Sequence, residues 1–293
     1  MPLPSFSEKE KNMGKFTGVL LASDFDNTLV YTAPARHSNA PVPNVSAGNQ
    51  EALRYFMANG GRFAISTGRA LPAFLKFADQ VPMNAPGIIC NGAALYDFEK
   101  GEYVDTVLMN EETRIRGQEV LDRFPTTALE AYHIDNVIHA VRPNIYTRQH
   151  EHVTHVAVTE TPSLLEVPLP LGKIMFEENH ELLEEVRAWM LTQPWAGEYE
   201  IFFSDTTLLE VTAKGASKGN MVRVLAKHLG ISMDHVYCAG DEMNDISMLT
   251  VAAEGFAPEN CIQAVRDCGV TVIRHCKDDA IAEIVEILDK RYH

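Results

Sequence analysis

A short apolar run, Leu20-Leu21-Ala22, leads into Ser23-Asp24-Phe25-Asp26-Asn27-Thr28, and this stretch constrains the chain more than any other. The run is too short for a helix. On a strand, the two-residue side-chain period puts Asp24 and Asp26 on one face, both at the C-terminal end. In an open parallel α/β sheet, that end is where ligands bind. Two carboxylates this close disturb each other's ionisation, so they persist most readily around a hard cation, or with one holding a proton for chemistry. The plain alternative is a strand running into an acidic turn, and the stretches that follow weigh against it.

Val19–Ala22 reads as the first strand, followed by a Pro/Asn/Ser-rich loop over Ala33–Asn44. Ser46 can cap a helix through Leu53, Phe56 and Met57 that stops at Gly60-Gly61. Phe63-Ala64-Ile65 is a buried strand closed by Ser66-Thr67-Gly68-Arg69. A helix over Leu71–Gln80 and a strand over Ile88–Cys90, closed by Asn91-Gly92, complete a strand–helix alternation. This is the first half of a doubly wound, mostly parallel sheet.

From about Tyr96 to Asp205 the pattern changes. Strands are predicted at Tyr103–Val107, Val137–Val141, Val153–Val158, Lys173–Phe176 and Tyr199–Phe203, with helices at Glu111–Phe124 and His180–Met190 and a Pro-rich break over Pro162–Pro170. The doubly wound pattern is predicted to resume at Leu208–Thr212. It continues through a helix over Ser217–Leu229, the strand Val236–Ala239, a strand over Ala252–Ala257, and helices at Asn260–Cys268 and Asp279–Lys290. The expectation is an α/β core made of residues 1–95 and 206–293, interrupted by an inserted α+β domain over 96–205.

With 293 residues, 46% of them hydrophobic, the chain can fill such a core. A net charge of −15 disfavours a general nucleic-acid or anionic-membrane surface, so an anionic substrate must meet local cations or a metal. Met1–Gly18 has no apolar segment of the signal-peptide kind, and no run approaches a membrane span. Cys90, Cys238, Cys261, Cys268 and Cys276 have no CxxC spacing and read as reduced thiols of a cytoplasmic protein.

Four stretches each follow a predicted strand or open a helix: Asp24/Asp26, Thr67-Gly68, Lys218-Gly219 and Gly240-Asp241…Asn244-Asp245. A parallel sheet would gather them at one rim. They supply a nucleophilic carboxylate, a carboxyl for proton transfer, a hydroxyl donor, an ammonium and further acids for a cation. Phosphoryl transfer through an aspartyl phosphate needs that inventory, and Mg²⁺ suits a site of few carboxylates and retained waters.

Taken in order, Asp24-Phe25-Asp26-Asn27-Thr28, Ser66-Thr67-Gly68-Arg69, Lys214-Gly215-Ala216-Ser217-Lys218-Gly219 and Gly240-Asp241-Glu242-Met243-Asn244-Asp245 resemble the four motifs of the haloacid dehalogenase superfamily. Cys90-Asn91-Gly92-Ala93 and the insert after it resemble, more narrowly, the Cof-type phosphatases of subfamily IIB. The resemblance covers nearly the whole chain. It implies Asp24 as nucleophile and metal ligand, and Asp26 as general acid and then base, with its backbone carbonyl on Mg²⁺. Thr67 and Gly68 would bind the phosphoryl group, and Lys218 would pair with it and with Asp24. Asp241 would complete the metal ligands, Asn244 would lie near the phosphoryl group, Asp245 would support the site, and Asn91 would serve the substrate side. A small phosphorylated substrate, Mg²⁺ and a monomer or homodimer are implied, with no nucleic-acid or membrane partner.

Two departures from the family pattern stand out. Asn27 occupies a position usually held by Gly, and Asn tolerates left-handed backbone next best. Near Gly255-Phe256-Ala257-Pro258 the usual Gly-Asn-Ala is not clear. Lys214 competes with Lys218 for the phosphate, Arg69 is either a salt-bridge partner or a substrate ligand, and Trp189 and Trp195 read as cap packing. His150, His152 and His155 read as a strand-edge surface rather than a metal site. The reading is a Mg²⁺-dependent phosphatase of small metabolites, sugar phosphates first. A phosphomutase of the phosphomannomutase type and a non-catalytic phosphate sensor are the alternatives.

Overall fold

The structure, a computed structural model, describes residues 14–38 and 41–292. The first half of the core comprises β1 (Leu20–Ser23), α1 (Ala33–Ser38), α2 (Ala47–Ala58), β2 (Arg62–Ile65), α3 (Leu71–Ala78) and β3 (Gly87–Ile89), then a hairpin of β4 (Ala94–Asp97) and β5 (Glu102–Thr106). The insert contains α4 (Glu112–Arg123), β6 (Ala128–His133), β7 (Ile138–Val141), α5 (Ile145–Thr154), β8 (Thr159–Glu160), β9 (Leu171–Glu177), α6 (His180–Leu191), β10 (Tyr199–Asp205) and β11 (Leu208–Ala213). The chain then returns through α7 (Lys218–Leu229), β12 (Val236–Ala239), α8 (Ile246–Val251), β13 (Glu254–Pro258), α9 (Gln263–Arg266), β14 (Thr271–Ile273) and α10 (Ala280–Arg291).

The core sheet runs β14-β13-β12-β1-β2 with every pairing parallel. Its interior strand β1 is buried throughout, as a strand covered on both faces must be. Leu21 packs with Leu53 of α2 and Ile284 of α10, whereas Leu20 and Ala22 pack with Val222 of α7 and Met248 of α8. Helices therefore cover both faces, and the expected doubly wound core is present. Cap residues fix where α7 starts and stops. The Ser217 hydroxyl accepts from the Asn220 N–H, and Gly230 closes the last turn at φ +68°.

The insert is a six-stranded sheet in the order β10-β11-β9-β6-β7-β8, antiparallel except between β7 and β8. Its two faces differ in chemistry. Leu129, Ile174, Phe176 and Val211 pack on Val120 and Leu121 of α4 and on Leu183 and Val186 of α6. The alternate residues Glu130, Tyr132, Lys173, Glu177 and Glu210 lie on the other face, all buried. Tyr132 and Met175 there pack with Ala70 of the core, so this polar face looks onto the core.

Several expectations are corrected. Leu208–Ala213 does not resume the parallel core, because it pairs with β9 and β10 and closes the insert's sheet. The hairpin β4–β5 pairs with β3, which a bridge between Ser66 and Ile88 ties to the end of β2, so the insert's own sheet starts only at Ala128. Val153–Val158 is the end of α5 and an irregular stretch rather than a strand, since Asn144 caps a helix that starts upstream. The predicted loop over Ala33–Asn44 opens with α1, while Asn39 and Ala40 lie outside the described residues, as does most of Met1–Gly18. Asn260–Cys268 holds only the short α9.

Candidate active site

Asp24 follows β1 and is buried, and its amide donates to the Ala239 carbonyl at the end of β12 (2.8 Å). Lys218 opens α7, is 1% exposed, and places Nζ 2.7 Å from Asp24 Oδ1 and 2.6 Å from Asp245 Oδ1. Burial works against its charge, but Asp24 and Asp245 outweigh burial and hold the ammonium above its ordinary range. Burial, reinforced by the Asp245 and Asp26 charges and opposed by Lys218, pushes the Asp24 carboxyl up to about 7. Asp241 moves the same way, through burial and then through Asp24 and Asp245.

Asp24, Asp241 and Asp245 each offer a carboxylate oxygen, all within 4.8 Å of one another. With Lys218 alone among them, two negative charges are left uncompensated, and a divalent cation would balance them. Both Asp245 oxygens are committed, Oδ1 to Lys218 and Oδ2 to the N–H groups of Asp241 and Glu242 (3.0 Å each). Among the described residues, Asp24 and Asp241 each engage only one oxygen, the latter accepting from the Thr28 hydroxyl at 2.7 Å. These two carboxylates fit the ligand role, with Asp245 as the residue that positions them.

Asp26 makes a different contact. Its carboxylate is held by Arg69, with Nε and Nη2 each 2.8 Å from one oxygen. Arg69 is thus the salt-bridge partner of the two readings weighed from sequence. Asn27 adopts φ +56°, as its position demands, and adds what Gly could not, because its Oδ1 accepts from the N–H groups of Thr32 and Ala33 at the start of α1. Asn260 Nδ2 donates to the Asn27 carbonyl (2.8 Å) from the loop after β13, where the family's Gly-Asn-Ala was not evident.

Thr67 is fully buried at the end of β2, and its hydroxyl accepts from the Arg69 N–H (3.1 Å), leaving its own proton to donate. Gly68 lies against the Asn91 side chain, which accepts from Asn244 Nδ2 at 2.8 Å. Cys90, Asn91 and Gly92 take φ of +50°, +56° and +94° in succession. Such a run persists only where the surroundings over-determine it. Lys214 is 63% exposed and paired with Glu200, away from this cluster. Trp189 and Trp195 pack edge to face on the core of the insert.

Above these groups lies a cavity of about 290 Å³, bounded by Asp24, Asp26, Arg69 and Asp241 from the core and by Tyr132, His150 and Lys173 from the insert. Sequence reading passed over Lys173 and Glu210. Lys173 Nζ sits 2.9 Å from Glu210 Oε2 and 3.1 Å from the Gly68 carbonyl, joining the insert to the Thr67-Gly68 loop of the core. The available signal was a charged residue inside each of two apolar strands. His150 lies on α5 rather than on a strand edge, apart from the His152–His155 ring pair.

A parallel core, an inserted polar-faced cap and an acid–lysine cluster at the junction define a class of hydrolase, and comparison with known proteins names it. Residues 21–285 match the haloacid dehalogenase-like hydrolase family, and the chain belongs to that family. It is 25% identical over 281 residues to the pyridoxal phosphate phosphatase YbhA of Escherichia coli strain K12, covering 91% of this chain and 97% of that one. It is 37% identical to an HMP-PP phosphatase of Cronobacter sakazakii, over 112 residues that make up 38% of this chain and 41% of that protein. Its fold is similar to that of the subclass IIB sugar phosphatase BT4131, with a TM-score of 0.77 at 23% identity over 92% of this chain and 99% of that one. No helix among the described residues is long and apolar enough to cross a membrane.

Proposed function

We propose that the chain hydrolyses phosphate monoesters of small metabolites, sugar phosphates first, with Asp24 as nucleophile and Mg²⁺ as cofactor. The observation that carries this reading is the buried Asp24 carboxylate, charge-paired to Lys218 beside Asp241 on the floor of a cavity roofed by the insert. An Asp24 oxygen attacks phosphorus and the bond from phosphorus to the leaving oxygen breaks. Asp26 then gives its proton to that oxygen. Asp26 next takes a proton from water, whose oxygen attacks phosphorus and frees the Asp24 carboxylate and inorganic phosphate. Lys218, Thr67 and the Gly68 loop bind the phosphoryl oxygens throughout. Asp24, the Asp26 carbonyl and Asp241 would hold Mg²⁺, which neutralises charge on those oxygens.

The sugar-phosphate preference rests on a polar upper cavity, where Gln149, His150, Lys173 and Glu210 can meet hydroxyl groups. The relatives' names, a pyridoxal phosphate, an HMP-PP and a sugar phosphatase, support small phosphorylated substrates as a class. The five free thiols support a reducing, cytoplasmic setting. The test is phosphate release from a metabolite panel with and without Mg²⁺. Turnover should require Mg²⁺ and vanish in Asp24→Asn with every substrate. Full activity of that variant would overturn the assignment.

A further inference from the structure

Beneath the cavity wall, on the polar face of the insert's sheet, Glu130 of β6 and Glu177 of β9 meet His150 of α5. The two carboxylates are 1% and 0% exposed, and one oxygen of each, Oε1, has no hydrogen-bond donor among the described residues. Hydroxyl groups fix the other oxygens. The Tyr132 hydroxyl lies 2.5 Å from Glu130 Oε2, and that of Thr147 lies 2.5 Å from Glu177 Oε2. His150 Nδ1 lies 3.0 Å from Glu130 Oε2 and 3.7 Å from Glu177 Oε1.

We propose that Glu130, His150 and Glu177 form a transition-metal site in the cap, distinct from the magnesium site of the core. An imidazolium alone does not satisfy the group. Its one Nδ1–H reaches Glu130, while the Glu177 oxygen at 3.7 Å lies beyond a hydrogen bond, so the ionised group keeps bare buried acceptors among the described residues. The neighbouring cation, Lys173, is committed to Glu210 and to the Gly68 carbonyl. Two ligands of one ion sit about 3–3.5 Å apart when bond lengths are near 2.1 Å, and the three ligand atoms here lie within 4.8 Å of one another. One imidazole with two carboxylates favours Zn²⁺, Mn²⁺ or Fe²⁺ over Mg²⁺ or Ca²⁺, which take oxygen ligands. The hydroxyls of Tyr132 and Thr147 orient the carboxylates as outer-sphere donors do. A metal here would staple α5 to β6 and β9, fixing the helix whose Tyr146, Gln149 and Val153 line the substrate cavity.

Two measurements decide the matter. Spin-echo spectra of the full chain loaded with Mn²⁺ should show imidazole nitrogen couplings, because the Asp24/Asp241/Asp245 group holds no imidazole, and His150→Ala should lose them. Calorimetric titration with Zn²⁺ in excess Mg²⁺ should show a tight event that Glu177→Gln abolishes and Thr147→Val weakens about 10–100-fold. Wild-type spectra without nitrogen coupling would overturn the proposal even if the variants failed to fold. So would an unchanged Zn²⁺ affinity in folded Glu177→Gln.

Discussion

Arg69 grips Asp26 with both arms of its guanidinium, each 2.8 Å from a carboxylate oxygen, while its plane lies over the rings of Phe25 and Phe77 at 5.4 and 4.9 Å. Asp24, two residues away, is instead paired with Lys218. Two acids of one motif are therefore held by different cations, so each sits in its own electrostatic environment. Arg69 also reaches a third loop, since its carbonyl accepts from the Cys90 N–H at 3.0 Å.

This division gives Asp26 a test of its own. If the proposed roles hold, Asp26→Asn keeps the nucleophile Asp24 and removes the proton donor, a loss of about 10²–10⁴-fold. An alkyl leaving group needs that proton, and a nitrophenolate scarcely does. Kinetics on a sugar phosphate should fall much further than kinetics on nitrophenyl phosphate, provided that phosphorylation of Asp24 limits both. Equal losses would take the acid role from Asp26. Arg69→Met should cost about 1–3 kcal/mol in urea unfolding, because it removes a two-pronged partner from a mostly buried carboxylate. Arg69→Met combined with Asp26→Asn should recover part of that cost. A Lys at position 69 cannot reproduce the fork.

Stability should depend on pH in a direction that Mg²⁺ counteracts. Without metal, burial chiefly raises Asp24 from its ordinary 3.8 to about 7 and Glu177 from 4.5 to about 8. An acid whose pKa is higher folded than unfolded keeps its proton longer in the native state. The metal-free protein therefore binds more protons folded than unfolded across roughly pH 4–8, and it loses stability as pH rises through that window. Mg²⁺ held as proposed would bind the ionised form of Asp24, so its stabilisation should grow with pH. Melting temperatures at pH 5 and pH 8, in chelator and in Mg²⁺, should show the larger Mg²⁺ increment at pH 8. An equal or larger increment at pH 5 would contradict the placement of the metal at Asp24.

Much of this was legible in the sequence because the core is written in local signals. Asp24, Lys218 and Asp241 each sit at the edge of a strand or helix whose punctuation is explicit, and the parallel sheet then brings the ends together. The cap was harder. Glu130 lies on a strand with weak apolar alternation, and α5 is rich in Thr and His, which have no strong helix preference, so Val153 and Val158 suggest a strand. Leu208–Ala213 has the composition of a buried strand in either sheet, and only long-range pairing assigns it to the insert. Arg69 and Asp26 are 43 residues apart, a contact that no local pattern encodes.

Asn27 shows a departure from the family pattern acquiring a use of its own. Its backbone needs the left-handed region, and its side chain accepts from the N–H groups of Thr32 and Ala33 at 3.1 and 2.8 Å. Asn27→Gly keeps the backbone and loses the side-chain hydrogen bonds to Thr32 and Ala33, at about 1 kcal/mol. Asn27→Ala loses the same bonds and adds left-handed strain of about 1–2 kcal/mol. Urea unfolding should therefore rank the wild type above the Gly variant and the Gly variant above the Ala variant. If the Ala variant proved as stable as the Gly variant, the left-handed geometry would not be a constraint.

Gly92 links the Asn91 loop to the start of the helix that carries Lys218. It takes φ +94°, and a β-carbon there would come within 2.3 Å of the Ser217 carbonyl and 2.8 Å of the Lys218 backbone nitrogen. Those atoms are backbone at the first turn of α7, so they cannot swing aside as a flexible side chain would. Gly92→Ala must push the loop or the helix start, and Lys218 moves with the latter. Gly230, at the far end of the same helix, also has a positive φ of 68°, but a β-carbon added there would meet nothing within 4 Å. Gly230→Ala therefore measures backbone strain alone, about 1–2 kcal/mol. Both variants should melt lower than wild type. Only Gly92→Ala should also lose turnover at temperatures where both remain folded, by about 10-fold or more (~1.4 kcal/mol or more). Equal turnover in the two variants would mean that the Asn91-Gly92 loop does not set the position of Lys218.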